Sequence, residues 1–164
     1  MKKAAALAAI AAALIFCTKA QAADLSELPE EVVQICDEAG EEFQVCPMIL
    51  ASLVYTETRG IIPDNLTQIT NTKWFEEGMD ACEVDEIKTP ENNIRVCAYY
   101  IAKWAEEYDD IFLALDSWRY GPENAVRKYK DKPSYYSKEI ATRSAEWEPG
   151  FYESKRKEAN PCKK

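Results

Sequence analysis

The sequence contains no histidine, and none of its cysteines are spaced as C-x-x-C. Histidine is the commonest metal ligand in proteins and the usual general base near neutral pH. Cysteines at C-x-x-C spacing are typical of structural zinc sites and redox motifs. These absences argue against a zinc site and against any mechanism that depends on a histidine base. We therefore expect neither a metal ion nor a cofactor.

Positive charge is also scarce, because 20 basic residues face 29 acidic ones and the formal net charge is −9. This charge argues against nucleic acid and anionic membrane surfaces as partners. Recognition of an acidic cell-wall glycan would have to rest on local groups in a cleft. After residue 22 no segment approaches the roughly 18 uncharged apolar residues that a transmembrane helix needs. We expect no membrane anchor in the mature chain.

The first 22 residues have the composition of a secretory signal peptide. Two lysines precede an apolar run over residues 4–16, and Ala20-Gln21-Ala22 fits a cleavage site with small residues. A lipoprotein signal at Cys17 is disfavoured, because bulky Phe16 stands where a small residue is expected. We predict export to the periplasm or outside the cell. The remainder fits one monomeric domain over residues 23–150, followed by a flexible tail over residues 151–164.

Export places the remaining five cysteines in an oxidising compartment, where disulfides persist. A bridge between Cys36 and Cys46 would join two consecutive helices across a short turn. A bridge between Cys82 and Cys97 would tie a long loop to the helix after it. We favour these two bridges and leave Cys162 unpaired, although five cysteines permit other pairings that the sequence cannot distinguish.

Apolar residues recur with helical spacing along the mature chain, interrupted by proline and glycine. The pattern predicts helices over residues 29–40, 46–60, 94–108, 111–120, 123–130 and 135–147. Residues 61–92 predict a long, partly ordered connection with a short helix near Met79. No strand pair, internal repeat or second domain is evident, so the predicted fold class is all-α.

One predicted helix carries a charge on its apolar face. Within residues 46–60, Leu50, Leu53, Val54 and Glu57 fall at i, i+3, i+4 and i+7. A buried carboxylate must find a donor or be kept protonated by its surroundings. A carboxylic acid held neutral can give a proton to a leaving oxygen. The simpler interpretation is a frayed final turn whose Glu57 points to water.

Several short segments carry a family resemblance through their order along the chain. They are Glu57-Thr58, Asn65-Leu66-Thr67-Gln68-Ile69, Pro90-Glu91-Asn92-Asn93-Ile94, Ala114-Leu115-Asp116-Ser117-Trp118-Arg119-Tyr120-Gly121-Pro122, and Tyr136 followed by Ile140. Over residues 46–147 this order resembles the catalytic domain of the soluble lytic transglycosylases. The resemblance implies a single lysozyme-like α fold and cleavage of peptidoglycan glycan strands.

The resemblance also implies a role for each matching residue. Glu57 matches the catalytic Glu, which protonates the glycosidic oxygen between N-acetylmuramic acid and N-acetylglucosamine. It then acts as base on the muramic 6-hydroxyl and releases a 1,6-anhydro sugar, while the acetamido oxygen of the substrate replaces a second carboxylate. Gln68 matches a glutamine near the scissile sugar. Tyr136 matches the tyrosine whose hydroxyl orients the Glu.

Four positions depart from the family pattern. Asn65 and Thr67 replace Gly and Met of a Gly-Leu-Met-Gln segment, and Trp118 and Arg119 stand where Tyr and Asn are usual. Trp118 still offers an aromatic face and an N–H donor to a sugar. Arg119 is a charge where the family has an amide, and it can pair with the muramic carboxylate or with an acidic neighbour. We assign both residues to substrate binding.

Some residues allow two interpretations. Asp64 is either a second carboxylate or a turn former beside Pro63. Asn93 is either the cap of the following helix or a site residue. Five aromatic residues either line a glycan groove or pack in the core. They are Trp74, Phe75, Tyr99, Tyr100 and Trp104.

Three other functions stay open. The first is a lysozyme-type muramidase with the same fold, in which water attacks and no anhydro ring forms. The second is a non-catalytic glycan-binding or inhibitor-like module. The third is a small helical disulfide protein that acts on membranes, which the acidic charge disfavours.

Overall fold

A computed structural model describes residues 25–61, 65–69 and 75–159, the last eight of these as backbone only. A 3-10 turn at Leu25–Glu27 precedes seven helices: α1 (Glu30–Phe43), α2 (Pro47–Thr58), α3 (Glu76–Ala81), α4 (Pro90–Tyr108), α5 (Ile111–Tyr120), α6 (Pro122–Tyr129) and α7 (Tyr135–Ala159). The described ranges contain no strand, which confirms the all-α class. The predicted signal peptide over residues 1–22 lies outside these ranges, as do Asp64, Trp74 and Cys162.

Helix α2 is the centre of the fold. Its residues 47–54 are all buried, and it packs against both α1 and α7. Burial of α2 is therefore not confined to the predicted apolar stripe, because neighbouring helices surround α2 on all sides. The predicted stop is confirmed: Arg59 ends the helix with a left-handed φ of 54°, and Gly60 follows at 78°.

Gly40 lies inside α1, which continues to Phe43, so the predicted helix end at Gly40 is wrong. The glycine serves a close approach between two helices. A Cβ on Gly40 would lie 2.7 Å from the Val45 carbonyl oxygen and 2.9 Å from Pro47 Cγ. Both distances are shorter than any normal van der Waals contact. The absence of a side chain at Gly40 thus lets α2 begin directly against α1.

Two apolar clusters fill the interior. The larger one joins α1, α2, α4, α5 and α7 and includes Leu53, Ile101 and Ile140, which have no exposed surface. The smaller one joins α4 to the chain before it through Ile87 and Tyr100. Burial of one large aliphatic side chain contributes about 1.5–3 kcal/mol. The larger cluster therefore anchors α2 on four other helices.

The last helix is longer than predicted. We expected it to end at Trp147 and assigned residues 151–164 to a loose tail, but α7 continues through Pro149 to Ala159. Phe151 lies one helical turn beyond Trp147, and both side chains are buried in the larger cluster. The apolar stripe therefore extends past the proline and holds this part of the helix on the core.

The two predicted disulfides are not formed, because Cys36, Cys46, Cys82 and Cys97 are free thiols. Cys36 neighbours Cys97 in the larger cluster, where burial and then the nearby Cys36 raise the pKa of the Cys97 thiol. The Cys46 sulfur lies 3.9 Å from the Ser144 hydroxyl oxygen. Cys82 packs in the smaller cluster. Helix packing, and not proximity along the chain, sets the neighbours of each cysteine.

The described helices also bear on membrane association. None of those within residues 25–61, 65–69 and 75–159 combines the length and the apolar character needed to cross a bilayer. The longest of them, α7, contains charged residues on several turns.

Candidate active site

Glu57 lies in the last turn of α2. Its side chain is only 6 % exposed, so the interpretation as a frayed turn pointing to water is wrong. The same side chain lines a groove with a volume of about 1240 Å³. A carboxylate this buried is costly unless it finds partners. Two side chains supply them.

Tyr136 is the first partner of Glu57. Its hydroxyl donates a hydrogen bond of 2.7 Å to Glu57 Oε1, and the residue is 9 % exposed. Burial, and then the charge of the Glu57 carboxylate, raise the pKa of Tyr136 well above its usual value. The phenol therefore stays protonated at neutral pH and acts as a donor.

Arg119 is the second partner of Glu57. Its Nη1 lies 3.1 Å from Glu57 Oε2 and 3.4 Å from Oε1, and its guanidinium is 5.6 Å from the centre of the Tyr136 ring. The Arg119 side chain is 49 % exposed and borders the groove. Of the two pairings that the sequence left open, the structure adopts the one with an acidic neighbour. An opposite charge this close compensates a buried carboxylate.

Two residues that the sequence analysis did not single out hold Tyr136 in place. Ser134 caps α7, because its Oγ accepts a hydrogen bond of 3.3 Å from the Ser137 N–H. Asp116 of α5 has no exposed surface and accepts hydrogen bonds from the Ser134 N–H at 3.0 Å and the Ser134 hydroxyl at 2.5 Å. Helix α5 thereby fixes the start of α7. The available signal was Ser134 itself, since serine is a preferred N-cap.

Gln68 borders the same groove as Glu57. It is exposed, it has a left-handed φ of 59°, and its Nε2 donates a hydrogen bond of 3.1 Å to the Asn65 carbonyl oxygen. Its amide therefore bonds to its own loop and faces solvent. The structure brings Gln68 to the groove, while Tyr136 and Arg119 are the residues that contact Glu57.

Asn93 anchors the loop that carries Gln68. The Asn93 Oδ1 accepts hydrogen bonds from the Thr67 N–H at 2.8 Å and the Thr67 hydroxyl at 2.7 Å. Its Nδ2 donates to Asn65 Oδ1 at 3.0 Å and to the Ile87 carbonyl oxygen at 3.2 Å. Asn65 and Thr67, which depart from the family pattern, are thus the residues that tie the loop to α4.

The helix cap predicted at Asn93 is wrong. Thr89 caps α4, because its Oγ1 accepts a hydrogen bond of 3.2 Å from the Asn92 N–H. Asn93 lies one turn inside the helix and has no exposed surface. An amide there can hold a neighbouring loop but cannot serve as the cap.

Aromatic side chains form much of the groove wall. Those that line it are Phe75, Tyr100, Trp104, Trp118 and Tyr120. The Trp118 and Phe75 ring centres are 5.2 Å apart, and those of Tyr100 and Trp104 are 5.1 Å apart. Phe75 also lies 5.2 Å from Tyr100, so these four rings form one continuous row along the wall. Rings in such a wall can pack on the apolar faces of ring-shaped ligands.

Trp118 does not offer its N–H to the groove. The Trp118 Nε1 donates a hydrogen bond of 3.3 Å to the Thr67 carbonyl oxygen. The expectation of a free indole donor is therefore wrong, because the loop 65–69 already accepts that hydrogen bond. Trp118 contributes an aromatic face to the groove and braces the loop that carries Gln68.

Further carboxylates line the groove at Glu76, Glu77 and Glu123. Glu77 accepts from Lys103 Nζ at 2.5 and 2.6 Å and from the Tyr99 hydroxyl at 2.7 Å. The hydrogen bond from Lys103, and then that from Tyr99, lower the pKa of Glu77 below its usual value. Glu77 is thus an ionised, paired group and a poor proton donor. No cluster of three metal-ligating side chains occurs in the described part of the chain.

No protein family model matches this chain, and neither a curated protein nor a solved structure matches it. The site holds a buried carboxylate, with a tyrosine donor on one oxygen and an arginine on the other, at the side of an aromatic-lined groove. Such a carboxylate is placed to exchange a proton with a ligand in the groove.

Proposed function

We propose that this chain is a peptidoglycan lytic transglycosylase with a lysozyme-like helical fold, acting as a monomer in the periplasm or outside the cell. The observation that carries the proposal is the Glu57 carboxylate, which is 6 % exposed, accepts a 2.7 Å hydrogen bond from Tyr136 and lines the groove. A carboxylate in this setting is a candidate general acid. The resemblance to the soluble lytic transglycosylases supplies the reaction class.

In the proposed reaction, Glu57 gives its proton to the glycosidic oxygen, and the bond from that oxygen to muramic C1 breaks. The acetamido oxygen of the substrate stabilises the cation at C1, so a second protein carboxylate is not required. Glu57 then takes the proton of the muramic 6-hydroxyl while O6 bonds to C1. Glu57 returns to its starting state, no water is consumed, and the product is a 1,6-anhydro sugar.

Tyr136 has a positioning role in this scheme. Its hydroxyl donates to Oε1 of Glu57, so the transferable proton resides on Oε2. The raised pKa of Tyr136 keeps this donor protonated throughout the neutral range. The hydrogen bond thereby selects one oxygen of the carboxylate for proton transfer and fixes its direction.

The size and lining of the groove support a polymeric saccharide as substrate. Its volume of about 1240 Å³ exceeds the roughly 300–1,000 Å³ of typical small-molecule sites. Aromatic rings line its wall, and Gln68 presents an amide that can both donate and accept hydrogen bonds. These are the groups that the sugar rings, acetamido groups and hydroxyls of a glycan strand would contact.

The test is a digest of purified murein followed by mass analysis of the soluble products. We expect muropeptides that end in anhydro-muramic acid, each lighter by one water than the product of hydrolysis. Glu57→Gln should lower their release by about 10²–10⁴-fold. Glu42→Gln is the matched control, because Glu42 pairs with Arg95 away from the groove.

Each alternative function predicts a different digest. Products that retain the extra water would identify a lysozyme-type hydrolase. If the wild type and Glu57→Gln both release negligible amounts of muropeptides, the enzyme proposal is refuted and a non-catalytic glycan-binding module is favoured.

A further inference from the structure

We infer that Arg119 is a specificity residue that makes cleavage depend on a carboxylate carried by the glycan. In the structure Arg119 covers the oxygen of Glu57 that must carry the transferable proton. A carboxylate on the bound strand, near the scissile muramic residue, draws Arg119 away and frees the acid. The inference rests on the proposed function of Glu57 and names the substrate feature that activates it.

The hydrogen bonds around Glu57 show why Arg119 blocks proton transfer from this residue. Tyr136 donates to Oε1 at 2.7 Å, which leaves Oε2 to hold the proton, and Arg119 Nη1 lies 3.1 Å from Oε2. A guanidinium has donors only and cannot accept a hydrogen bond. A proton on Oε2 would therefore face the N–H of Arg119. The observed arrangement belongs to an ionised carboxylate, and Arg119 must move before Glu57 can act as an acid.

The contact between Arg119 and Glu57 is looser than the pair formed by Arg95 and Glu42. Arg95 binds Glu42 through two nitrogens, with Nε at 2.8 Å and Nη2 at 2.6 Å, one to each carboxylate oxygen. Arg119 uses a single nitrogen, at 3.1 and 3.4 Å. Bidentate pairs of the first kind are the stronger ones. The Arg119 contact is therefore suited to exchange with another carboxylate.

The exposure of the two partners shows which of them can move. The side chain of Glu57 is 6 % exposed, whereas that of Arg119 is 49 % exposed. Arg119 lies in the last turn of α5 and borders the groove. A long, half-exposed side chain can turn into the groove while α5 stays in place. Glu57, enclosed at the end of the central helix, stays fixed.

The charges of the groove explain why a carboxylate would select Arg119. Glu76, Glu77 and Glu123 line the same groove and repel an anion. Lys103, the other cation among the described lining residues, is already bound to both oxygens of Glu77. Arg119 therefore offers the accessible positive charge, and its planar fork matches a carboxylate. A neutral strand has no group that would displace it from Glu57.

A carboxylate near the scissile residue can come from two sources. Strands without stem peptides carry the free lactyl carboxylate of muramic acid, and intact murein carries the carboxylates of its stem peptides. Three substrates separate the sources: intact murein, peptide-free strands, and peptide-free strands whose lactyl carboxylates are converted to neutral methylamides. Each is given to the wild type, Arg119→Gln and the control Arg95→Gln, and kcat/KM and calorimetric Kd are measured.

We expect the wild type to prefer at least one carboxylate-bearing strand over the methylamide strand by about tenfold or more. Arg119→Gln should bring that ratio close to one and should cleave the methylamide strand faster than the wild type does. Arg95→Gln should keep the wild-type ratio. The strand that the wild type prefers identifies the source of the carboxylate.

The inference is overturned if Arg119→Gln keeps the wild-type preference, or if it slows cleavage of all three strands by one common factor. Absence of anhydro products from every strand would refute the proposed function instead, and the Kd values would still decide whether Arg119 recognises a carboxylate. Arg119→Lys is the second variant, since it keeps the charge without the fork. It should show a preference between those of the wild type and Arg119→Gln.

Discussion

Tyr136 and Glu57, which are 79 residues apart in sequence, are joined by a hydrogen bond of 2.7 Å. The bond links α7 to the central helix α2 at the point where α2 meets the groove. It satisfies one oxygen of a nearly buried carboxylate and leaves the other for chemistry. The proposed activity therefore depends on the packing of two distant segments of the chain.

Removal of the tyrosine hydroxyl should slow cleavage without weakening substrate binding. Tyr136→Phe is expected to lower kcat by about 10–100-fold, since one oriented hydrogen bond to a charged group is lost. KM should change little, because the hydroxyl contacts the acid and not the strand. Tyr55→Phe is the control, because it removes a 2.6 Å bond to Glu27. Equal losses in both variants would contradict a specific role for Tyr136.

Alkaline pH should destabilise the fold partly through Tyr136. Burial and Glu57 raise its pKa in the folded state, whereas in the unfolded chain it ionises near about pH 10. Its contribution to folding is therefore complete below about pH 10 and is lost as the pH rises through the folded pKa. Urea unfolding above this pH should show a steeper loss of stability in the wild type than in Tyr136→Phe. Equal slopes would contradict the shift.

Loss of the Asn93 amide should weaken the loop that carries Gln68. Asn93→Ala leaves the buried Thr67 N–H and its neighbours without partners, and each such group costs about 1–3 kcal/mol. We expect a loss of about 2–4 kcal/mol in the free energy of unfolding, measured with urea. Asn92→Ala, which removes an exposed bond to the Glu86 carbonyl oxygen, should cost less than about 1 kcal/mol. Similar losses in both variants would argue against Asn93 as the anchor.

A methyl group at Gly40 should force α1 and α2 apart. The new Cβ would meet the Val45 carbonyl oxygen at 2.7 Å, and backbone atoms cannot easily give way. Gly40→Ala is expected to destabilise the protein by about 1–3 kcal/mol in thermal or urea unfolding. Gly150→Ala, where no atom lies within 4 Å of the added Cβ, should be neutral or slightly stabilising. A neutral Gly40→Ala would contradict the observed packing of the two helices.

Local patterns were sufficient to predict the helices but not all of their ends. Proline and glycine signals placed α2 correctly, because its first turn and its left-handed stop are both local features. The end of α1 was missed because Gly40 serves a contact with Val45 and Pro47, and not a turn. The end of α7 was missed because Phe151 packs on the core and outweighs the helix-breaking tendency of Pro149.

The candidate site was predictable where a motif existed. The resemblance named Glu57, Gln68, Trp118, Arg119 and Tyr136, and the structure places the first four on one groove with Tyr136 bonded to Glu57. Asp116 and Asn93 were not predicted as anchors, because their partners lie 18 and 26 residues away. Tertiary packing determines such partners, and a local sequence pattern does not predict them. The cysteine pairing was wrong for the same reason.

A single turn of α5 carries Asp116, Trp118 and Arg119. These residues bond respectively to the cap of α7, the Thr67 carbonyl oxygen and the Glu57 carboxylate. Thermal vibration of that turn therefore displaces the start of α7, the glutamine loop and the guanidinium in concert. The distances between these three groups should therefore vary less than they would if each group were held by a separate loop.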